Sequence, residues 1–184
     1  MKSLARVLFA SAVLLVFAAG CGYHFSGEGE GPRKGLRKIA VPVFDNATSE
    51  PDLGSLFAGA LRRQFIQKGS LQVTPVEDAD VVFHGRVTNI YTSSVAHQDT
   101  QRSLQTQLTV EARLYVTLEL RAVEPKTGTV VWQDPNFTYW KVFRQVSEPR
   151  NPDPMVGYDN RREALQFLAD EMAVRIHDRY LSDF

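Results

Sequence analysis

From Leu108 onward the chain alternates with a period of two. Leu108, Val110, Ala112, Leu114, Val116, Leu118, Leu120 and Ala122 are separated by Thr109, Glu111, Arg113, Tyr115, Thr117, Glu119 and Arg121. Successive side chains of a strand point to opposite faces, so this order predicts a sheet with one dry face and one polar face. At about 3.3 Å per residue the strand would reach roughly 50 Å, far beyond the usual five or six residues, and a bend or bulge within it is expected. Glu124-Pro125-Lys126-Thr127-Gly128 has the turn chemistry of a hairpin loop. The return strand runs from Thr129 through Trp132 and, after an Asp134-Pro135-Asn136 break, from Phe137 to Phe143. An earlier strand from Val81 to about Tyr91 precedes a polar loop spanning Ser93 to Gln105.

Upstream, Lys38 to Phe44 reads as a first strand with Ile39, Val41 and Val43 on one face. Pro42 lacks a ladder donor, which favours an edge position or a bulge. Asp45 to Pro51 is rich in turn residues, and Pro51 suits a first helical turn. Leu56, Phe57, Ala60, Leu61 and Phe65 then recur at helical spacing, closed by Lys68 and Gly69. A short strand from Leu71 to Val76 leads into the Glu77-Asp78-Ala79-Asp80 turn. After a Pro-rich loop from Ser147 to Tyr158, Asn160 and Glu163 outline a capping box. Leu165, Leu168, Ala169, Met172, Ala173, Ile176 and Tyr180 follow as a wide apolar stripe. The order strand, helix, strands, helix predicts an α/β (α+β) two-layer sandwich. Two helices pack on one face of a mostly antiparallel, mixed sheet of four to five strands.

The amino terminus carries a different pattern. Lys2 and Arg6 precede an apolar run from Val7 to Ala19, and Gly20 is followed by Cys21, the single cysteine of the chain. A charged start, a short apolar run and small residues before a cleavage point make a secretory signal. The run is short for a span, which needs about 20 residues. Cleavage directly before cysteine resembles the bacterial lipoprotein signal, in which the thiol takes a diacylglycerol and becomes the new amino terminus. Ala18 stands where such signals usually carry Leu. A lone thiol has no internal disulfide partner, and lipidation gives it a purpose. The expected organisation is therefore a removed signal over residues 1–20, a lipidated tether over 21–36 and one domain over 37–184. By resemblance to the lipoprotein sorting rule, Gly22 implies delivery to the outer membrane, with the body facing the periplasm.

Charge and chemistry narrow the function. Lys and Arg total 21 against 21 Asp and Glu, and Lys2 and Arg6 leave with the signal. That balance argues against a nucleic-acid partner, which calls for a basic footprint. His24, His84, His97 and His177 share no metal-ligand spacing, and no phosphate loop or nucleophile elbow is present. The chain reads as non-enzymatic and without a cofactor beyond the acyl groups on Cys21. Glu77, Asp78 and Asp80 read as a solvated turn. Two binding features stand out. Phe167, Val174 and Leu181 recur every seven residues, nearly opposite the core stripe of the last helix, and form a candidate partner-contact strip. Arg102, Lys141, Arg144 and Arg150 lie in loops and strand ends, and together could receive an anionic lipid headgroup.

Cys21-Gly22-Tyr23-His24-Phe25 resembles the mature start of the LptE family of lipopolysaccharide-assembly lipoproteins. The likeness continues through Ile39-Ala40-Val41-Pro42, Phe44-Asp45-Asn46-Ala47-Thr48 and Ala79-Asp80-Val81-Val82-Phe83-His84-Gly85, and then the long strand and hairpin. The resemblance implies a lipid-anchored outer-membrane protein that plugs the export barrel LptD, assists its assembly and binds lipopolysaccharide. A basic residue in the loop before the long strand contacts the glycolipid in that family, and Arg102 is the best-placed match, with Lys141 and Arg144 behind it. The alternative is an activator lipoprotein for a peptidoglycan synthase, or a curli-type secretion component, since some of these share the first-strand pattern. A tether of about 15 residues reaches at most about 50 Å, short for that task.

Overall fold

The computed structural model describes residues 35–95, 108–147 and 154–182. In chain order the elements are β1 (Lys38–Ala40), β2 (Asp45–Asn46), α1 (Leu53–Lys68), β3 (Gln72–Val73), a 3₁₀ turn (Val76–Asp78), β4 (Val81–Val95), β5 (Leu108–Glu124), β6 (Thr129–Ser147) and α2 (Pro154–Ser182). They form one sheet in the order β3-β1-β4-β5-β6, with β2 also paired to β4. β1 runs parallel to β3 and β4, and β2 parallel to β4, whereas β4, β5 and β6 form an antiparallel meander. The expected two-layer α+β architecture is the observed one, on a mixed sheet with one strand more than expected.

The first predicted strand is split. β1 stops at Ala40 and β2 resumes at Asp45, both on β4, opposite Val81–Val82 and Arg86–Val87 respectively. Pro42 lies in the gap, where the absence of its N–H costs no ladder bond. It does not mark an edge, because β1 lies between β3 and β4. The detour also seats Phe44. Its ring covers Gly85, where an added Cβ would come within 2.5 Å, and its carbonyl approaches Gly54 at the start of α1.

Alternation in β5 holds as expected, with Ala112, Leu114, Val116, Leu118, Leu120 and Ala122 all buried. The bulges fall on its neighbours. β4 carries an extra residue at Thr88, between Val87 and Asn89. β6 carries one in the Pro135–Asn136 segment and another at Val131. The Asp134-Pro135-Asn136 break is therefore a bulge inside one continuous strand, and β4 extends past Tyr91 to Val95. Bulges increase local twist, which lets three long strands coil together without straining the middle one. At the hairpin, Gly128 adopts φ 70° and its N–H donates to the Glu124 carbonyl at 2.9 Å.

Both helices lie on the dry face. α1 begins one residue after Asp52, so Pro51 stands outside the first turn, and Gly69 closes it in the left-handed region with its N–H on the Phe65 carbonyl. α2 begins at Pro154, six residues before the expected cap. Asn160 is thus inside the helix, and its side-chain amide donates to the Arg144 carbonyl at 3.0 Å. Phe65, Phe83, Trp132 and Tyr180 meet edge-on or tilted at the centre of the core, with centroids 5.5 to 6.0 Å apart. The predicted α2 stripe is buried throughout, and Leu181 joins it at 8% exposure.

Candidate functional site

Along one flank of α2, Phe167, Glu171, Arg175 and Arg179 recur every four residues and so share a ridge. The helix runs antiparallel to β6, whose helix-facing residues Phe137, Tyr139, Lys141 and Phe143 lie beneath that ridge. The seam between them is built from cations laid on rings. The Lys141 ammonium sits 3.5 Å from the Phe167 ring centroid. Arg175 lies 4.3 Å over Tyr139, and Arg179 lies 5.8 Å over Phe137. Arg175 also pairs with Glu171, and Arg179 with Asp134. Among the described residues no carboxylate pairs with Lys141. Its charge is therefore held in place by the ring of Phe167, a residue that is itself 46% exposed. A fixed cation beside exposed apolar surface is the chemistry that receives an anionic amphiphile.

The opposite face of the sheet carries a second surface. Tyr91, Tyr115 and Trp140 stand in register across β4, β5 and β6. Tyr91 and Tyr115 stack with centroids 4.7 Å apart and planes within 4°. Trp140 tilts at 42° to Tyr115, 6.4 Å away, and Arg113 lies 4.9 Å over the Trp140 ring. Below the row, the Thr117 and Thr138 hydroxyls meet at 3.0 Å. Tyr91, Trp140 and Val142 are all exposed.

Other clusters serve the framework. The Asp80 carboxylate accepts the backbone N–H groups of Arg37 and Lys38 at 3.1 and 3.0 Å. Those two donors hold its pKa below the usual carboxylate value. Ser70, His177 and Asp178 stand in hydrogen-bond sequence at 2.9 and 3.0 Å. His177 is buried on the edge of the Phe65 ring while Asp178 faces solvent, so the chain of bonds fastens the exit of α1 to α2. Among the described residues no group of three acidic, histidine or cysteine side chains could hold a metal ion.

The structure brings together two residues that the sequence assigned to separate roles: Lys141, from the cationic set, lies on Phe167, from the contact strip. Arg144 is exposed near the amino-terminal half of α2. Val174 is exposed, but Leu181 is not, which corrects its place in the strip. A seven-residue repeat drifts about 20° per heptad around a helix, and two steps carry Leu181 toward the His177 side of the core. Cys21, Arg102 and Arg150 lie outside the described residues. Sequence reasoning missed Arg175, Arg179 and the Tyr91-Tyr115-Trp140 row. The row had a visible signal, an aromatic residue at a polar-phase position in each of three strands. Pairing register, which brings those positions together, is absent from a one-dimensional pattern.

The described residues form a dry-cored α+β sandwich that sets cations on partly exposed rings at two surfaces. Among the described residues no helix is long and apolar enough to cross a membrane. The profile of the LptE lipopolysaccharide-assembly family matches residues 36–180. The chain belongs to that family, whose members are outer-membrane lipoproteins without enzymatic activity. No curated protein matches the sequence. Among solved structures, the chain is similar to a minor lipoprotein from Acinetobacter baumannii at 13% identity and TM-score 0.46, covering 80% of this chain and 92% of that one. It is also similar to the rare lipoprotein B from Shewanella oneidensis at 17% identity and TM-score 0.41, with coverage of 80% and 92%. At these levels the likeness carries no argument about function.

Proposed function

We propose that this chain is a lipid-anchored outer-membrane protein that occupies and helps to assemble an LptD-type export barrel, and that it binds lipopolysaccharide on its way to the surface. The observation that carries the reading is the Lys141 ammonium held over the exposed Phe167 ring in a chain of the lipopolysaccharide-assembly family. A lipopolysaccharide offers phosphates and acyl chains together, which suits a cation beside an aromatic face. Arg102, in the segment between β4 and β5, is the further contact proposed, whereas the register sets Arg144 opposite Glu111 on the other sheet face from Lys141. The lipid on Cys21 would hold the domain at the bilayer, since two or more acyl chains make attachment durable at roughly 0.8 kcal/mol per buried methylene.

Four tests bear on this. Affinity isolation from detergent-solubilised outer membrane should recover a large β-barrel, and recovery of a peptidoglycan synthase alone would favour the activator alternative. Lys141→Glu should weaken binding to lipopolysaccharide about tenfold, equivalent to ~1.4 kcal/mol, while Phe167→Leu weakens it less. Arg102→Glu should weaken binding without loss of thermal stability, and unchanged binding would remove Arg102 from the contact. Intact-mass analysis should find Cys21 acylated, and Cys21→Ala should release the protein from the membrane fraction.

A further inference from the structure

We propose that the Tyr91-Tyr115-Trp140 row with Arg113 is the contact by which the outer sheet face grips a protein partner, and that the surface it meets is the acidic, inward-facing wall of the barrel. The inference rests on the barrel reading above and adds which face is turned to the wall.

Four observations carry it. Tyr91 and Trp140 are exposed, with Tyr115 half-buried between them, and Tyr, Trp and Arg are the residues that dominate binding energy at protein interfaces. The side chains are already ordered against one another, so little rotamer freedom remains to be lost on docking. The geometry disfavours a saccharide, which stacks on open ring faces. Tyr115 has Tyr91 stacked on one side and Trp140 leaning toward it from the other, and Arg113 lies over Trp140. What the row presents outward is ring edges and phenol hydroxyls, and aromatic edges are electropositive and favour oxygen atoms. Charge points the same way. The outward positions of β4, β5 and β6 hold Arg86, Arg113, Arg121 and Arg144 against Glu111 and Glu119, a net positive face that calls for an acidic counterpart. Three strands spaced about 4.8 Å apart and some ten residues long give a projected area on the order of 500 Å². That approaches the ~800 Å² per partner of a stable interface. Barrel interiors are polar and line alternate residues of each strand inward, which matches such a face in shape and chemistry.

The test uses the full-length lipoprotein in its own outer membrane. A photo-crosslinking phenylalanine analogue is placed at Tyr91 or Trp140, and the crosslinked peptides are mapped by mass spectrometry. Crosslinks should fall on alternate, inward-pointing residues of barrel strands, near Asp or Glu. Arg113→Glu should lower barrel recovery at least tenfold, with lipopolysaccharide binding by the isolated protein kept and the melting temperature little changed. Crosslinks to saccharide, to a second copy of this chain or to nothing would overturn the inference, as would full barrel recovery with Arg113→Glu. If the unaltered protein recovers no barrel at all, the barrel reading itself fails; if it recovers one while the row crosslinks elsewhere, only this inference does.

Discussion

Asp80 shows how a single side chain can be misjudged from its neighbours. Beside Glu77 and Asp78 it reads as one more solvated acid, yet it closes the amino end of β1 by accepting two backbone N–H groups. Asp80→Ala should cost ~1 kcal/mol, below the usual range for hydrogen bonds to a charged group, because the site is largely open to water. Since the folded pKa lies below 3.8, the stabilisation is fully present above that value and is lost as pH falls through the folded pKa. Urea titrations should therefore show a gap between native and Asp80→Ala proteins that is constant near neutrality and narrows below pH 3.8. Tyr180 is the opposite case. Its hydroxyl is buried with no hydrogen-bond partner among the described residues, and burial pushes its pKa far above the ordinary phenol value. Tyr180→Phe keeps the ring that touches Phe65, Phe83 and Trp132 while removing an unsatisfied polar atom. The substitution should be neutral or stabilising by up to about 1 kcal/mol in denaturant unfolding.

At the scale of elements, the pattern of apolar positions revealed β5, the hairpin and both helical stripes, because each depends on a local period that burial reinforces. Boundaries that depend on distant contacts were not legible. β2 exists because Arg86 and Val87 offer it a ladder, and the early start of α2 is accompanied by Asn160 reaching the β6 backbone. Gly54 and Gly85 were equally silent in the sequence, since the reason for each is Phe44, a residue from another segment. Gly54→Ala would place a Cβ 2.0 Å from the Phe44 carbonyl oxygen, where neither backbone can yield cheaply. A loss on the order of 3 kcal/mol is expected, larger than for Gly85→Ala, whose obstacle is a side-chain ring. Leu181 supplies the matching check on α2. Leu181→Ala should cost about 2 kcal/mol as a core truncation, whereas Val174→Ser should stay within ~0.5 kcal/mol.

For the whole molecule, the two faces divide the work proposed for it: the seam of α2 and β6 for the glycolipid, the outer sheet for the barrel. The seam was half visible in the sequence, as Lys141 and Phe167, but only folding makes them one feature. Replacing both Phe167 and Val174 with Ser should leave the melting temperature nearly unchanged and weaken lipopolysaccharide binding, since both are exposed in the isolated domain and Phe167 carries the Lys141 contact. A fall in stability would place them in the framework instead. The strand register also gives the molecule two poles. β1 enters beside Val81, at the hairpin end, whereas Lys141 lies in the row of Leu114 and Thr92. Eleven residues of strand separate those rows, roughly 35 Å. The described chain thus enters the sheet at one pole, and Lys141 and the aromatic row stand a sandwich-length away from that entry. A lipid on Cys21 would therefore pull on the domain at the pole away from its proposed contacts, so that anchoring and binding would load opposite ends of the sheet.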